Sequence, residues 1–271
     1  MTDTQTLIAV AREAAAAAAS FLAKSHGEIA GSSRELSVKQ KSSAIDLVTD
    51  LDAKAQAIII DCIRSHFPDH RFLAEEEGAD ALGDAKCPYR WIIDPLDGTT
   101  NFIHGSNVFG SIIAVQLHEK TVAGAMNLPL LRKEYWGGLG SGAWANGNRV
   151  RLRNTRNMND AILCCNIVHR ASKGDDGILR VTVPDCGSVE NYGCAAEELG
   201  EILAGHVDGS FFDGIRLWDV AAGFMMIEEA GGRAFYTFKD ERNHRSGLIC
   251  AASTEPIFAE LKTWTEERMS C

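Results

Sequence analysis

One segment of twelve residues, Trp91-Ile92-Ile93-Asp94-Pro95-Leu96-Asp97-Gly98-Thr99-Thr100-Asn101-Phe102, constrains this 271-residue chain more than any other. Trp91–Ile93 reads as a short buried strand, and the apolar run ends in two carboxylates three residues apart. Pro95 has a fixed φ and no N–H, which suits a sharp exit from a strand or the first position of a helix. Gly98 permits close backbone approach, and the amides and hydroxyls after it can face an anion. Magnesium favours such places, with few protein carboxylates and the rest of its shell from water and phosphate. The segment therefore points to metal-dependent phosphate-ester chemistry. Taken alone, it is equally an ordinary acidic turn, because Asp-Pro and Asp-Gly are common turn dipeptides.

Other apolar–acidic boundaries supply further carboxylates. Phe72-Leu73-Ala74 runs into Glu75-Glu76-Glu77-Gly78, where Glu77 reads as exposed. From Lys41 to Asp52, acids crowd a short β-prone stretch before a helix. Asp219 follows Trp218 at the start of an apolar helix, and by itself reads as an N-cap or dipole partner. Two carboxylates about 4 Å apart repel by roughly 4 kcal/mol at an effective dielectric of about 20. Acids gathered this closely imply protonation or a divalent cation between them.

In this order, the four segments resemble the inositol monophosphatase family, within the lithium-sensitive, magnesium-dependent sugar phosphatases, over almost the whole chain. Trp91–Phe102 is similar to the family's first signature. Trp218-Asp219-Val220-Ala221-Ala222-Gly223, leading to Glu229-Ala230-Gly231-Gly232, is similar to its second. The resemblance implies that Glu75, Asp94, Asp97 and Asp219, with the Leu96 carbonyl, hold two to three Mg²⁺ ions. Asp94 would bridge two cations. Thr99 and Asp52 would pair to orient the attacking water, Glu75 would help take its proton, and the Gly98 and Thr99 amides would hold phosphate. Gly193, Cys194, Ala195 and Asp213 would face the substrate together with Asp97 and Asp219. The implied fold is α+β, a layered αβαβα sandwich and one compact unit. Residues 1–152 would carry most metal ligands, and residues 153–271 Asp219 and the substrate-facing segments. A homodimer is expected.

Composition agrees with this reading. The 27 basic and 37 acidic residues give a net charge of −10, which argues against a general nucleic-acid binder. An acidic protein still accepts an anionic substrate where metals reverse the local field. No segment reads as spanning a membrane or as a secretory signal, and the Ala14–Ala19 run reads as a close-packing helix. The eight cysteines show no metal-like spacing and suit reduced thiols in a cytoplasm. Helices are expected over Leu7 to Ala30, Asp52 to Phe67, Ala195–His206, Asp219–Glu229 and Pro256–Met269. Strands are expected at Gly110–His118 and Thr121–Met126, joined by a turn at Glu119-Lys120. Asn146-Gly147 signals a hairpin with a structural role.

Substrate choice rests on fewer residues. The Thr100-Asn101-Phe102 ending favours a small polyol phosphate, first of all inositol 1-phosphate. Inositol-specific members place an acid seven positions before the second-signature Asp, and here that position is Phe212, with Asp213 beside it. Fructose 1,6-bisphosphate, needing a cation such as Arg170, Lys173 or Arg216, is an alternative substrate. Histidinol phosphate and 3′-phosphonucleotides are further alternatives. A different class of function, binding to transcription machinery, also occurs among bacterial relatives.

Overall fold

The computed structural model describes residues 2–30, 38–40, 47–165, 171–173, 179–181, 183–212, 214–236 and 249–269. The chain begins with α1 (Thr4–Ala30), a ribbon of β1 (Val38–Gln40) and β2 (Leu47–Thr49), and α2 (Asp50–His66). Strands β3 (Arg71–Ala74), β4 (Tyr89–Asp97), β5 (Gly110–Leu117), β6 (Lys120–Leu128), β7 (Lys133–Gly138), β8 (Gly142–Ala145) and β9 (Asn148–Arg149) then form a seven-stranded sheet in sequential order. The short α3 (Thr99–Ile103) interrupts it after β4.

A second sheet follows, built from β10 (Ile162–Cys165), β13 (Ser188–Glu190), β14 (Gly209–Phe212), β15 (Arg233–Tyr236) and β16 (Ile249–Ala252). Its order is β13-β10-β14-β16-β15, and β11 (Ala171–Lys173) pairs with β12 (Leu179–Val181) apart from it. The helices α4 (Ala195–Leu203), α5 (Leu217–Glu229) and α6 (Glu255–Met269) complete the chain.

Period-two alternation sorts the side chains into layers. Ile93, Ile113, Val115 and Ala125 face α1 and α2, packing on Leu7, Ala11, Ala14, Ile59 and Ile63. Their neighbours Ile92, Ile112, Ala114 and Met126 point the other way, into a core with Leu199 of α4 and Phe224 and Met226 of α5. That core also takes Phe212, Ile249 and Ala251 from the second sheet. Phe211, Cys250 and Ala252 turn to the opposite face and pack on Ile257 and Leu261 of α6. Five layers result, αβαβα, as expected. Contact between α5 and the first sheet is close: a Cβ on Gly124 of β6 would stand 2.9 Å from the Ala222 Cβ.

Three expectations change. First, α1 is long and apolar enough to cross a membrane by length and composition, with a hydropathy of 1.4 over Thr4–Glu28. Half of that window is buried, including Ala14, Ala15 and Ala18, so its apolarity serves the interior. Second, β4 does not stop at Ile93. Its register against β5 shifts between Asp94, opposite Ile112, and Asp97, opposite Gly110, which leaves one extra residue on β4. This β-bulge absorbs Pro95, whose missing N–H then breaks no regular ladder, and the strand runs on to Asp97. Third, the β5–β6 turn is centred on His118 and Glu119, with φ 48° and 66°, one residue earlier than expected.

Candidate active site

Three elements bring the acids together. The bulge of β4 supplies Asp94 and Asp97, the first turn of α5 supplies Asp219, and the end of β3 supplies Glu75. Asp94 is 2% exposed, and its Oδ1 accepts from the Leu96 amide at 3.1 Å. Burial, followed by the charges of Glu75, Asp97 and Asp219, holds its carboxyl well above the usual carboxylate range. It is hydrogen-bonded to Asp219, which burial and the charges of Glu75 and Asp97 push up to about 8. A proton is therefore held between the two carboxyl groups at neutral pH.

Asp219 also does what an acid in a helix's first turn ordinarily does. Its Oδ2 accepts from the Arg216 amide at 2.7 Å, as in a capping box. Asp97 is engaged more fully. Its Oδ1 accepts from the Ala195 amide at 3.0 Å, and its Oδ2 accepts from the Ala196 amide at 2.6 Å and the Cys194 thiol at 2.9 Å. Burial raises its carboxyl, and these donors with the Gly98 amide pull it back. A carboxylate has about four acceptor positions, so Asp97 is occupied as the anchor of α4. The same contacts gather the expected substrate-facing residues Cys194 and Ala195 around Asp97.

Gly98 follows in the left-handed region at φ 82°, and a Cβ there would lie 2.9 Å from the Val108 carbonyl. Glycine is required by both facts. Thr99 Oγ1 donates to the Leu96 carbonyl at 2.9 Å, where the sequence reading gave that proton to Asp52. Thr99 and Leu96 share one tight turn, and a hydroxyl carries a single proton. Asp52 is buried on α2, one helical turn before Gln56. Gln56 grips Glu76 from both sides, accepting from its amide and donating to its carbonyl, each at 3.0 Å. With the Glu75 amide donating to Ile93 O at 3.1 Å, the backbone that carries Glu75 is fixed.

A cavity of about 330 Å³ adjoins Asp97 and Asp219, with Gly193, Cys194, Glu198 and Phe212 in its wall. Phe212, at the position where inositol-specific members have an acid, is 2% exposed, and its side chain packs into the core between the two sheets. Asp213 lies outside the described residues, as does Arg170. A larger cavity of about 850 Å³ runs along α2 past Glu75 and Arg216. The Arg216 guanidinium lies 5.3 Å from the centre of the Trp218 ring.

The donor set suits a hard divalent cation. It is all oxygen, largely buried, and costly to ionise without a positive partner. Among the described residues, no three acids, histidines or cysteines form a ready-made metal cage. Asp94 and Asp219 are the close pair, and Asp97 is turned to its protein donors.

The chain matches the model of the inositol monophosphatase family over residues 3–268. It belongs to that family. It is 35% identical over 229 residues to the inositol-1-monophosphatase of Mesorhizobium japonicum, covering 83% of this chain and 84% of that protein. It is 34% identical over 226 residues to Nus factor SuhB of Escherichia coli strain K12, covering 82% and 84%. The crystal structure of extragenic suppressor protein suhB from Bartonella henselae superimposes with a TM-score of 0.81 at 28% identity, covering 97% of this chain and 99% of that one. Like the inositol monophosphatase family as a whole, the chain is a phosphoric monoester hydrolase, and the family is metal-dependent.

Sequence reasoning missed three contributors. Gln56 has no signal beyond its place on a helix. Asn101 sits inside the first signature, and its Nδ2 donates to the carbonyls of Val108 (2.9 Å) and Tyr192 (2.8 Å), tying the α3 turn to the segment before α4. Glu198 reads as a first-turn acid that favours the helix dipole, yet it is 2% exposed.

Proposed function

We propose that the chain hydrolyses a small polyol phosphate, inositol 1-phosphate first among them, using magnesium held by Glu75, Asp94, Asp97, Asp219 and the Leu96 carbonyl. The observation that carries this reading is the buried, hydrogen-bonded pair Asp94–Asp219, contributed by two separate layers, with Asp219 and Asp97 bordering a cavity of about 330 Å³. Such a pair exchanges its proton for a divalent cation without rebuilding the fold. When bound, magnesium supplies charge neutralisation and lowers the pKa of water, the two things phosphate monoester hydrolysis needs.

The chain's own residues do the rest. Asp94 and Asp219 give up the shared proton and present paired oxygens. Asp97 would offer an oxygen to the ion once its weakest donor, the Cys194 thiol, is released. Gly98, locked in the left-handed region, and Thr99 direct their amides to the phosphate. Thr99 Oγ1, released from the Leu96 carbonyl, passes to Asp52 and orients the attacking water, and Glu75 takes its proton. Two to three ions, a homodimer and a cytoplasmic setting complete the proposal. The seven described cysteines, all free thiols, suit a reducing compartment.

The test is phosphate release, with and without magnesium, from inositol 1-phosphate, fructose 1,6-bisphosphate, histidinol phosphate and 3′-phosphoadenosine 5′-phosphate. Magnesium-dependent release fastest from inositol 1-phosphate is expected. Release concentrated on another substrate would move the chain to a neighbouring specificity. A second reading, binding to transcription machinery, is favoured by the likeness to Nus factor SuhB. It becomes the one to pursue if none of the four substrates is cleaved.

A further inference from the structure

Glu198 is a buried acid in the wall of the substrate cavity that the mechanism above does not use. It is 2% exposed, on the first turn of α4, and shares the cavity with Asp97, Asp219, Gly193 and Phe212. One of its oxygens is satisfied: Oε1 accepts from the Tyr192 amide at 3.3 Å. The Gly193 amide is a further backbone donor to this carboxyl. Its Oε2 is buried and has no hydrogen-bond partner. A buried polar atom left unpaired is costly, so its persistence beside a ligand cavity calls for a partner brought from outside. Phe212 borders the same cavity and places no carboxyl where inositol-specific relatives have their acid.

We propose that Glu198 is a specificity-determining residue whose Oε2 hydrogen-bonds a hydroxyl of the leaving group of a polyol phosphate. The inference rests on the phosphomonoesterase reading above. It moves the hydroxyl-recognising acid from the strand before α5 to the first turn of α4. Burial pushes Glu198 up to about 8, so it is neutral at pH 7 and suits a hydroxyl better than an ammonium group.

The test compares inositol 1-phosphate with cyclohexyl phosphate, which has the same ring without hydroxyls, through kcat/KM in magnesium. Wild-type protein should favour inositol 1-phosphate by more than about tenfold, the weight of one buried hydrogen bond. Glu198→Met should bring the ratio of the two kcat/KM values toward one. Glu198→Gln, which keeps an acceptor for the Tyr192 amide and a polar group in place of Oε2, should recover much of it. A purely structural role lowers both substrates together and leaves the ratio unmoved, which overturns the proposal. So does a loss of ratio on Asp213→Asn with none on Glu198→Met, or a preference for histidinol phosphate. Should Glu198→Met fail to fold in a thermal melt, the wild-type ratio decides, and a value near one is fatal. Wild-type protein that cleaves neither substrate overturns the phosphomonoesterase reading and this inference together. Cleavage of both at equal efficiency overturns this inference alone.

Discussion

Magnesium should change how the stability of this protein depends on pH, and the size of the change follows from the Asp94–Asp219 pair. Asp219 is pushed up to about 8, whereas a carboxyl in an unfolded chain titrates near 3.9. Between about pH 5 and pH 8 the folded chain therefore keeps a proton that the unfolded chain has released. The sign follows: for an acid raised on folding, the stabilisation is complete below the unfolded pKa and is lost as pH rises through the folded one. Counting one proton for the pair, stability falls by ~1.4 kcal/mol per pH unit, or about 4 kcal/mol from pH 5 to pH 8. Against a total of roughly 5–15 kcal/mol, that is easily measured.

Glu198, also pushed up to about 8, adds a parallel slope, but it is not one of the proposed ligands. The difference between profiles in magnesium and in EDTA therefore isolates the proposed ligands, the pair among them, from Glu198. Urea unfolding at each pH should show the stabilisation by magnesium growing by ~1.4 kcal/mol per unit toward pH 8. Adding magnesium at pH 7 should release about one proton per site in an unbuffered solution. Asp219→Asn should remove the widening. Parallel profiles in magnesium and EDTA would refute the reasoning, because the ion would then not be displacing the shared proton.

Asp94→Asn should lower phosphate release by ~10³-fold or more and abolish tight magnesium binding in calorimetry, with the far-ultraviolet circular dichroism unchanged. Retained turnover in that variant would remove the metal assignment. Gly98→Ala places a Cβ 2.9 Å from the Val108 carbonyl at φ 82°. It should cost about 1–3 kcal/mol in urea unfolding, along with activity. Gln56→Leu strips both bonds from the Glu76 backbone. A loss of about 1–3 kcal/mol is expected, with a higher magnesium requirement in activity titrations because Glu75 loses its fixed support. An unchanged requirement would mean that Glu75 is positioned independently of α2.

What the sequence revealed and what it hid divide by range. Helix ends were legible where local chemistry marks them: α2 closes at His66, ahead of Pro68, and the Asn146-Gly147 turn takes φ 47° and 83°. His118 and Glu119 adopt the same left-handed geometry, but neither residue type advertises it, and the turn was placed one residue late. The second sheet was hardly legible at all. Its described strands hold three or four residues each, and runs such as Leu163-Cys164-Cys165 show no alternation because both faces are covered. In the site, the acids were legible through their signatures. Their partners were not: the bonds from Asp97 to Ala195 and Ala196 join residues almost a hundred positions apart. Nothing local in Glu197-Glu198 says which of the two faces a cavity.

Those long-range partners give the four acids unequal roles. Asp97 secures the N-terminus of α4, and Asp219 secures that of α5 through the Arg216 amide. Both helices fill the layer between the two sheets, so these two acids are structural members as well as proposed ligands. Asp94 holds only the Leu96 amide of its own bulge and the proton it shares with Asp219. Asparagine at 94 can keep that amide bond while losing the charge. Asparagine at 97 must satisfy four donors with a single carbonyl oxygen, and its NH₂ would oppose an amide N–H. Asp97→Asn should therefore lower stability by about 1–3 kcal/mol in addition to lowering activity, and Asp94→Asn should lower activity alone. If the two variants melt alike, the anchoring of α4 by Asp97 contributes nothing, and the coupling between this site and the middle layer of the fold has to be given up.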